Sequence, residues 1–505
     1  MLSKRKASLR GDRLNPPRWM TAVVMSAVVA ACGTTVPISQ RAAGPSSDLG
    51  GTSLQAGGGV TTNSSTLAPA NGSVDSGGFT PSPSGNGSAV PSLGGSTPAD
   101  TADTIGATRT TGTPAPIEIG ALTANSAGAY QASLGFTGAM GDQVAMTDAV
   151  VSYLNSHGGI GGRKIEVVPY DVNPDAVATD ASAAYQAACA AFTQDNHVVA
   201  VASILSGLPD SFYQCLEQAG AVVAVPAETT SSQFFERNTS VYMTSSPSYT
   251  RLLSASVDAL WSSGWLTAKS KVGVVGYDTP DGEAAVDDGL IPALKRHGLT
   301  LTDSIYTSTD TSAAAEYPGG VLRFKADSID RVFFAPGGQP IYFALAAEAQ
   351  SYDPHYELGS LEYPYLLTQN LPASQLSGSA GLGWLPTFDV GAAQWQKTPT
   401  PGEARCETAV EAAQQDLSDG TVLGIAEWIC DDWFFLRDAL QRSSPITQAS
   451  VRQAVESMGG TFTPAGTFAT RFGPGEHDGA AAYRLNVFSE ECKCYTYVSG
   501  NEPLP

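Results

Sequence analysis

Positive charge is scarce in this chain. It carries 27 Lys and Arg against 48 Asp and Glu, a net charge of −21 over 505 residues. Such a chain lacks the basic surface that nucleic acid or anionic lipid headgroups require. Its charge serves solubility instead. Histidine is scarce too: His157, His197, His297, His355 and His477 stand far apart, with no H-E-x-x-H pair. No G-x-S-x-G elbow sits at a strand-to-helix turn, and no P-loop or G-x-G-x-x-G opens a helix after a strand. The sequence therefore assigns no catalytic residue, no cofactor and no metal, although Ser–His–Asp partners can assemble from distant positions. The one close cysteine pair, Cys492 and Cys494, lacks the C-x₂₋₄-C spacing of a zinc site. Beyond the first 31 residues no run reaches 18 apolar residues, so no transmembrane helix is expected.

What the chain does have begins at its start. Lys4, Arg5, Lys6, Arg10, Arg13 and Arg18 form a basic region ahead of the apolar run 21–28, which is too short to span a bilayer. Val29-Ala30-Ala31-Cys32 follows. Small residues before a cysteine resemble the lipobox of bacterial lipoproteins. The resemblance implies that 1–31 is a signal peptide and that Cys32 is the acylated first residue after cleavage. The rest would then lie outside the cytoplasmic membrane, held to its outer face by lipid.

Six further cysteines remain: Cys189, Cys215, Cys406, Cys430, Cys492 and Cys494. An even number outside the cell suggests disulfides, with fifteen full pairings open. Cys189 with Cys215 and Cys406 with Cys430 are the closest successive pairs spanning a helix-sized segment. Cys492 and Cys494 close a tight loop or reach elsewhere.

Residues 33–114 are mostly Gly, Ser, Thr, Pro and Ala, with Phe79 the only aromatic. Too little apolar area is present to offset the entropy of ordering such a stretch. It reads as a flexible tether with a root-mean-square reach on the order of 50 Å. From Ile117 onward short apolar runs alternate with helix-like stretches. Strands are expected near 117–122, 164–170, 198–202 and 222–225, with helices near 137–155, 175–193 and from Pro209. The rhythm restarts after Tyr249, with strands at 271–277, from 299, and at 331–335. Helices are expected there at 282–297, 313–326 and 341–350, then at 404–417, 428–441 and 447–458. Two strand-like runs, 482–488 and 494–498, close the chain. This alternation predicts an α/β protein built of βαβ units with parallel sheet. Two doubly wound open-sheet lobes are the natural reading.

Several segments resemble, in order, the type 1 periplasmic binding proteins of the leucine/isoleucine/valine-binding kind. They are 134–139, 154–165, 201–207, 225–230 and 472–479. The resemblance implies a substrate-binding lipoprotein of an ABC importer, with a small-molecule ligand, a membrane permease as partner, and a monomeric state. It implies a central cleft between lobe 1 (115–246 and 386–470) and lobe 2 (247–385 and 471–505). Loops at the carboxyl ends of parallel strands line such clefts because loops diverge there and helix N-termini point in. Carried over, the ligand residues are Ser206 and Gly207, offering a hydroxyl and backbone N–H groups to a carboxylate. Glu228, Thr229 and Thr230 follow on the next strand, Gly338 in the loop Gly337-Gly338-Gln339, and Glu362 with Tyr363 facing a ligand ammonium. Residues 124–130 form the first loop.

Two departures bear on the ligand. The stretch matching the family's amine-pairing acid is Ser246-Pro247-Ser248-Tyr249, and the family's aromatic-glycine pair is Asp281-Gly282 here. A lost carboxylate removes a charge-assisted hydrogen bond of roughly 1.5–3 kcal/mol. An aliphatic amino acid is thus one option beside other polar solutes. The alternatives for single residues are structural: Ser206, Thr229 and Thr230 as turn or cap residues, Glu228 as a rim charge, Asp278 and Asp281 as helix caps, and 171–175 as turn and cap. Trp428, Trp433, Phe434 and Phe435 are expected to pack the core. A ligand-sensing receptor lipoprotein that moves no cargo is the alternative function, since one fold supports both.

Overall fold

A computed structural model describes residues 114–125, 140–308, 310–395 and 399–505. Cys32, the segment 33–113 and most of the first ligand loop lie outside the described residues.

Five parallel strands form the first sheet: β1 (Ile117–Thr123), β2 (Ile165–Asp171), β3 (Ala200–Ser203), β4 (Val222–Val225) and β5 (Val241–Met243), in the order β2-β1-β3-β4-β5. β3 and β4 read AVAS and VVAV, apolar on both faces, as a parallel strand covered by helices on both sides must be. Alternate residues serve different cores. Val222 and Ala224 face α1 (Gln143–Ser156) and a long helix described below, while Val223 and Val225 face α2 (Pro174–Ala190) and α3 (Asp210–Gln218). The Cys189–Cys215 disulfide joins α2 to α3. The short α4 (Ser232–Arg237) leads into β5.

The first chain crossing, 244–248, enters α5 (Tyr249–Ser262), capped by the Ser248 hydroxyl. Four parallel strands then form the second sheet: β6 (Val272–Tyr277), β7 (Leu301–Thr307), β8 (Arg331–Phe334) and β9 (His355–Tyr356), in the order β7-β6-β8-β9. The helix expected over 282–297 starts earlier, as α6 (Pro280–Ala285). It continues through a π-helical turn into α7 (Ile291–Arg296). Val272 and Val274 of β6 join the core containing α5 and α7. Val275 joins the core of α8 (Asp310–Ala326) and α9 (Pro340–Ala349).

After β9 comes α10 (Pro364–Asn370). A third, antiparallel sheet combines β10 (Ala380–Gly383), β11 (Ala482–Ser489), β12 (Cys494–Tyr497) and β13 (Glu502–Pro503). A bridge between Glu357 and Ala380 joins it to the second sheet's edge. Between β10 and β11 lie α11 (Pro401–Val410), α12 (Gly420–Gln441) and α13 (Gln448–Met458). The Cys406–Cys430 disulfide ties α11 to α12, and Cys492–Cys494 closes the turn before β12. α12 buries Trp428, Trp433, Phe434 and Phe435 as expected. Near the end, Asp478 runs parallel beside Met243 at the edge of the first sheet before the chain returns to β11.

Candidate functional site

Strand direction decides where a site forms. The loops after β3 and β4 and those after β6, β7 and β8 enclose one cavity of about 360 Å³. Apart from Leu361 and Tyr363, which follow β9 at a distance, the wall stands at the carboxyl ends of these parallel strands, where loops diverge. The first sheet contributes Ser206, Gly207, Asp210, Ala227, Glu228, Thr229, Thr230 and Phe234. The second contributes Tyr277, Thr279, Asp281, Ser308, Pro336, Gly337 and Gln339, with Leu361 and Tyr363.

Six of the eight residues taken from the sequence are brought together here: Ser206, Gly207, Glu228, Thr229, Thr230 and Tyr363. Two stand behind the wall. Gly338 is a packing position, where a Cβ would come within 2.6 Å of the Val275 carbonyl. Glu362 is buried, its carboxylate accepting from the Gly359 N–H at 2.8 Å and facing the Tyr249 hydroxyl at 3.5 Å. Burial, then the neighbouring Glu357, pushes its carboxyl well above the usual carboxylate range.

Glu228 is no rim charge. It is 3% exposed, and its carboxylate accepts from the Gly207 N–H at 2.5 Å and from the Tyr213 hydroxyl. Burial pushes it up to about 7, against the pull of those bonds and of the Leu208 and Thr229 N–H groups. The Gly207 N–H, expected to hold a ligand carboxylate, thus serves the protein's own. Thr230 is 3% exposed, and its hydroxyl lacks a hydrogen-bond partner. Its backbone carbonyl is used by the Tyr249 N–H.

Asp281 is not the cap of α6; Thr279 is, its hydroxyl accepting from the Gly282 N–H. The Asp281 carboxylate instead accepts from the Ser231 hydroxyl at 2.5 Å and pairs with Arg237 at 2.8 Å, so it links the two walls. Arg237 also pairs with Asp210 at 3.1 Å. In the segment 171–175 Asn173 caps α2, as a turn-and-cap reading requires. Among the described residues no group of three or more His, Cys, Asp or Glu is placed to hold a metal ion.

The sequence reading missed Asp210, Phe234, Tyr277 and Thr279. Tyr277, the last residue of β6, puts an aromatic on this wall four residues before Asp281-Gly282. Its ring lies over Gly337, where φ is +78° and any Cβ would overlap the ring. Tyr363 holds φ at +52°, a left-handed backbone that costs a non-glycine residue of order 1–3 kcal/mol. Pro364 begins α10 directly after it, and the Tyr363 ring packs edge-on against Phe388 at 5.3 Å.

A family model described as periplasmic binding protein matches residues 116–488. The chain belongs to the periplasmic binding protein family. Solved structures agree on the fold. An ABC transporter substrate-binding protein from Desulfitobacterium hafniense in complex with Leu is 18% identical, with a TM-score of 0.52 over 76% of this chain and 100% of that one. A solute binding protein of R. palustris in complex with 4-hydroxybenzoate is 14% identical, with a TM-score of 0.55 over 77% and 98%. The branched-chain amino acid transporter substrate binding protein of Streptococcus pneumoniae in complex with isoleucine is 14% identical, with a TM-score of 0.52 over 77% and 99%. No curated protein sequence matches significantly. Among the described residues of this periplasmic binding protein, no helix is long and apolar enough to cross a membrane.

Proposed function

We propose that the protein is an extracytoplasmic solute-binding lipoprotein that captures a small polar or amino-acid-like solute between two lobes and delivers it to an ABC importer. The observation carrying this reading is a cavity walled by loop ends of two separate parallel sheets. A ligand there touches both walls at once, so its binding favours the arrangement that brings them together. Ser206, Gly207, Glu228, Thr229, Thr230 and Tyr363 form the proposed ligand wall with Tyr277 and Gln339. Gly338 and Glu362 position it from behind. Lobe 1 is taken as 115–246 with 386–470, and lobe 2 as 247–385 with 471–505. Cys32 is the proposed lipid anchor and 33–114 the tether.

Titration calorimetry of the purified protein with small amino acids, amides, amines and acids tests the reading. One solute bound per chain is expected. Silence across the panel up to millimolar concentration contradicts it.

A further inference from the structure

The cavity lining is rich in acceptors and lacks cations. Asp210, Glu228 and Asp281 reach it, whereas its described lining contains no Lys, Arg or His. Arg237, which pairs with two of these carboxylates, is divided between Asp210 at 3.1 Å and Asp281 at 2.8 Å. One guanidinium is thus shared by two carboxylates, and Glu228 has no cation among its partners.

Several neutral donors near the wall are already taken. An anion removed from water needs hydrogen bonds to replace its hydration. The Gly207 N–H points at Glu228, the Gly338 N–H donates to the Ala335 carbonyl at 2.8 Å, and the Gln339 N–H donates to the Tyr317 hydroxyl at 3.2 Å. The Ser231 hydroxyl donates to Asp281. These four donors at the strand ends are committed to protein acceptors. Glu228 lies where an incoming carboxylate would seek them, and when it is ionised a second carboxylate beside it is repelled.

Three aromatic side chains complete the lining: Phe234, Tyr277 and Tyr363. Carboxylates beside aromatic faces suit an organic cation, which gains charge-assisted hydrogen bonds from the first and ring-quadrupole attraction from the second. The Thr230 hydroxyl, buried at the wall without a partner, supplies a further polar group for a ligand N–H or hydroxyl.

We propose that this cavity selects a small organic amine without a carboxylate, its ammonium against the Asp210–Asp281 side and its body among Phe234, Tyr277 and Tyr363. The selection rests on the solute-capture reading above. It means that the donor set after β3 works as a built-in exclusion of anions.

The test compares ligands on matched skeletons by calorimetry and thermal shift: tyramine with 4-hydroxybenzoate, and isopentylamine with 4-methylpentanoate. The amines are expected to bind roughly tenfold or more tightly than the acids, a difference of about 1.4 kcal/mol. Asp281→Asn should weaken the amines by a similar factor. Thr230→Val, which keeps shape and leaves the Arg237 pairs intact, should weaken them several-fold. Glu228→Gln should narrow the gap by improving the acids. Acids binding the natural protein more tightly than amines would overturn the selection and leave solute capture standing. No binding by any of the four, with no small molecule retained through purification, would remove both.

Discussion

At the scale of single residues, the site depends on where a side chain is absent as much as on where one is present. Gly337 lets the backbone pass beneath Tyr277, and its positive φ suits only glycine without strain. Gly337→Ala should cost about 1–3 kcal/mol of stability, from strain and overlap together. It should also weaken solute binding by displacing the Tyr277 ring. Urea unfolding with calorimetry checks both, and an unchanged midpoint would refute the packing account. Residues of this kind differ in how legible they are. Ser206, Gly207, Thr229 and Thr230 follow apolar runs directly, so their place at strand ends shows in the chain. Tyr277 ends such a run as well, yet an aromatic there reads as strand core until the fold shows which end faces the cleft. Glu228 looked like a surface charge because its partners, Gly207 and Tyr213, are 21 and 15 residues away.

At the scale of elements, α12 links the chain crossings. Its acids Glu427, Asp431 and Asp432 are buried at 3%, 0% and 1% exposure. Asp432 accepts from the Thr244 hydroxyl at 2.7 Å, and Asp431 from the Ser245 hydroxyl at 2.9 Å, both on the first crossing. Glu427 accepts from the Thr387 hydroxyl at 3.2 Å, just after β10. Asp431 also accepts from the Ala465 N–H at 2.6 Å and the Gly466 N–H at 3.0 Å. Asp431→Ala leaves three buried donors without an acceptor, at a cost of about 1–3 kcal/mol for each one left unsatisfied. The variant should unfold at markedly lower denaturant, whereas Asp431→Asn should recover part of the loss. Equal stability of the alanine variant and the natural protein would contradict this role. The sequence reading began this helix at Trp428, eight residues late. Gly420 and Gly424 hide its first two turns, and Gly424 is there because a side chain would run into Phe388. β10, reading AGLG, escaped notice because Gly381 makes room for the Leu358 backbone beside it and leaves no strand-like pattern.

At the scale of the molecule, several carboxyl groups are buried together in one acidic protein. Burial pushes Glu228, Glu357 and Asp389 up to about 7, and Asp431 up to about 6. A carboxyl whose folded pKa exceeds its unfolded value binds more protons in the folded state. Its stabilising contribution is therefore present at about pH 4 and lost as pH rises through 6 and 7. The melting temperature should fall between about pH 5 and pH 8, the opposite of the trend for salt-bridged carboxylates. Calorimetric melts across that range check it, and a rising melting temperature would show that these groups are solvated. The fold class was the most legible feature at this scale. Alternating apolar runs and helical stretches describe βαβ units whatever the ligand, and both parallel sheets follow from them. The interior acids were not legible, because their partners come from segments far apart in the chain.

The central claim is that a small solute occupies the space between the two sheets' loop ends. Native mass spectrometry of protein purified without denaturation, beside the Gly337→Ala variant, tests this most directly. One small-molecule adduct per chain is expected on the natural protein, and a reduced fraction on the variant. A bare mass for the natural protein that stays bare after incubation with the amine and acid panel would contradict the account.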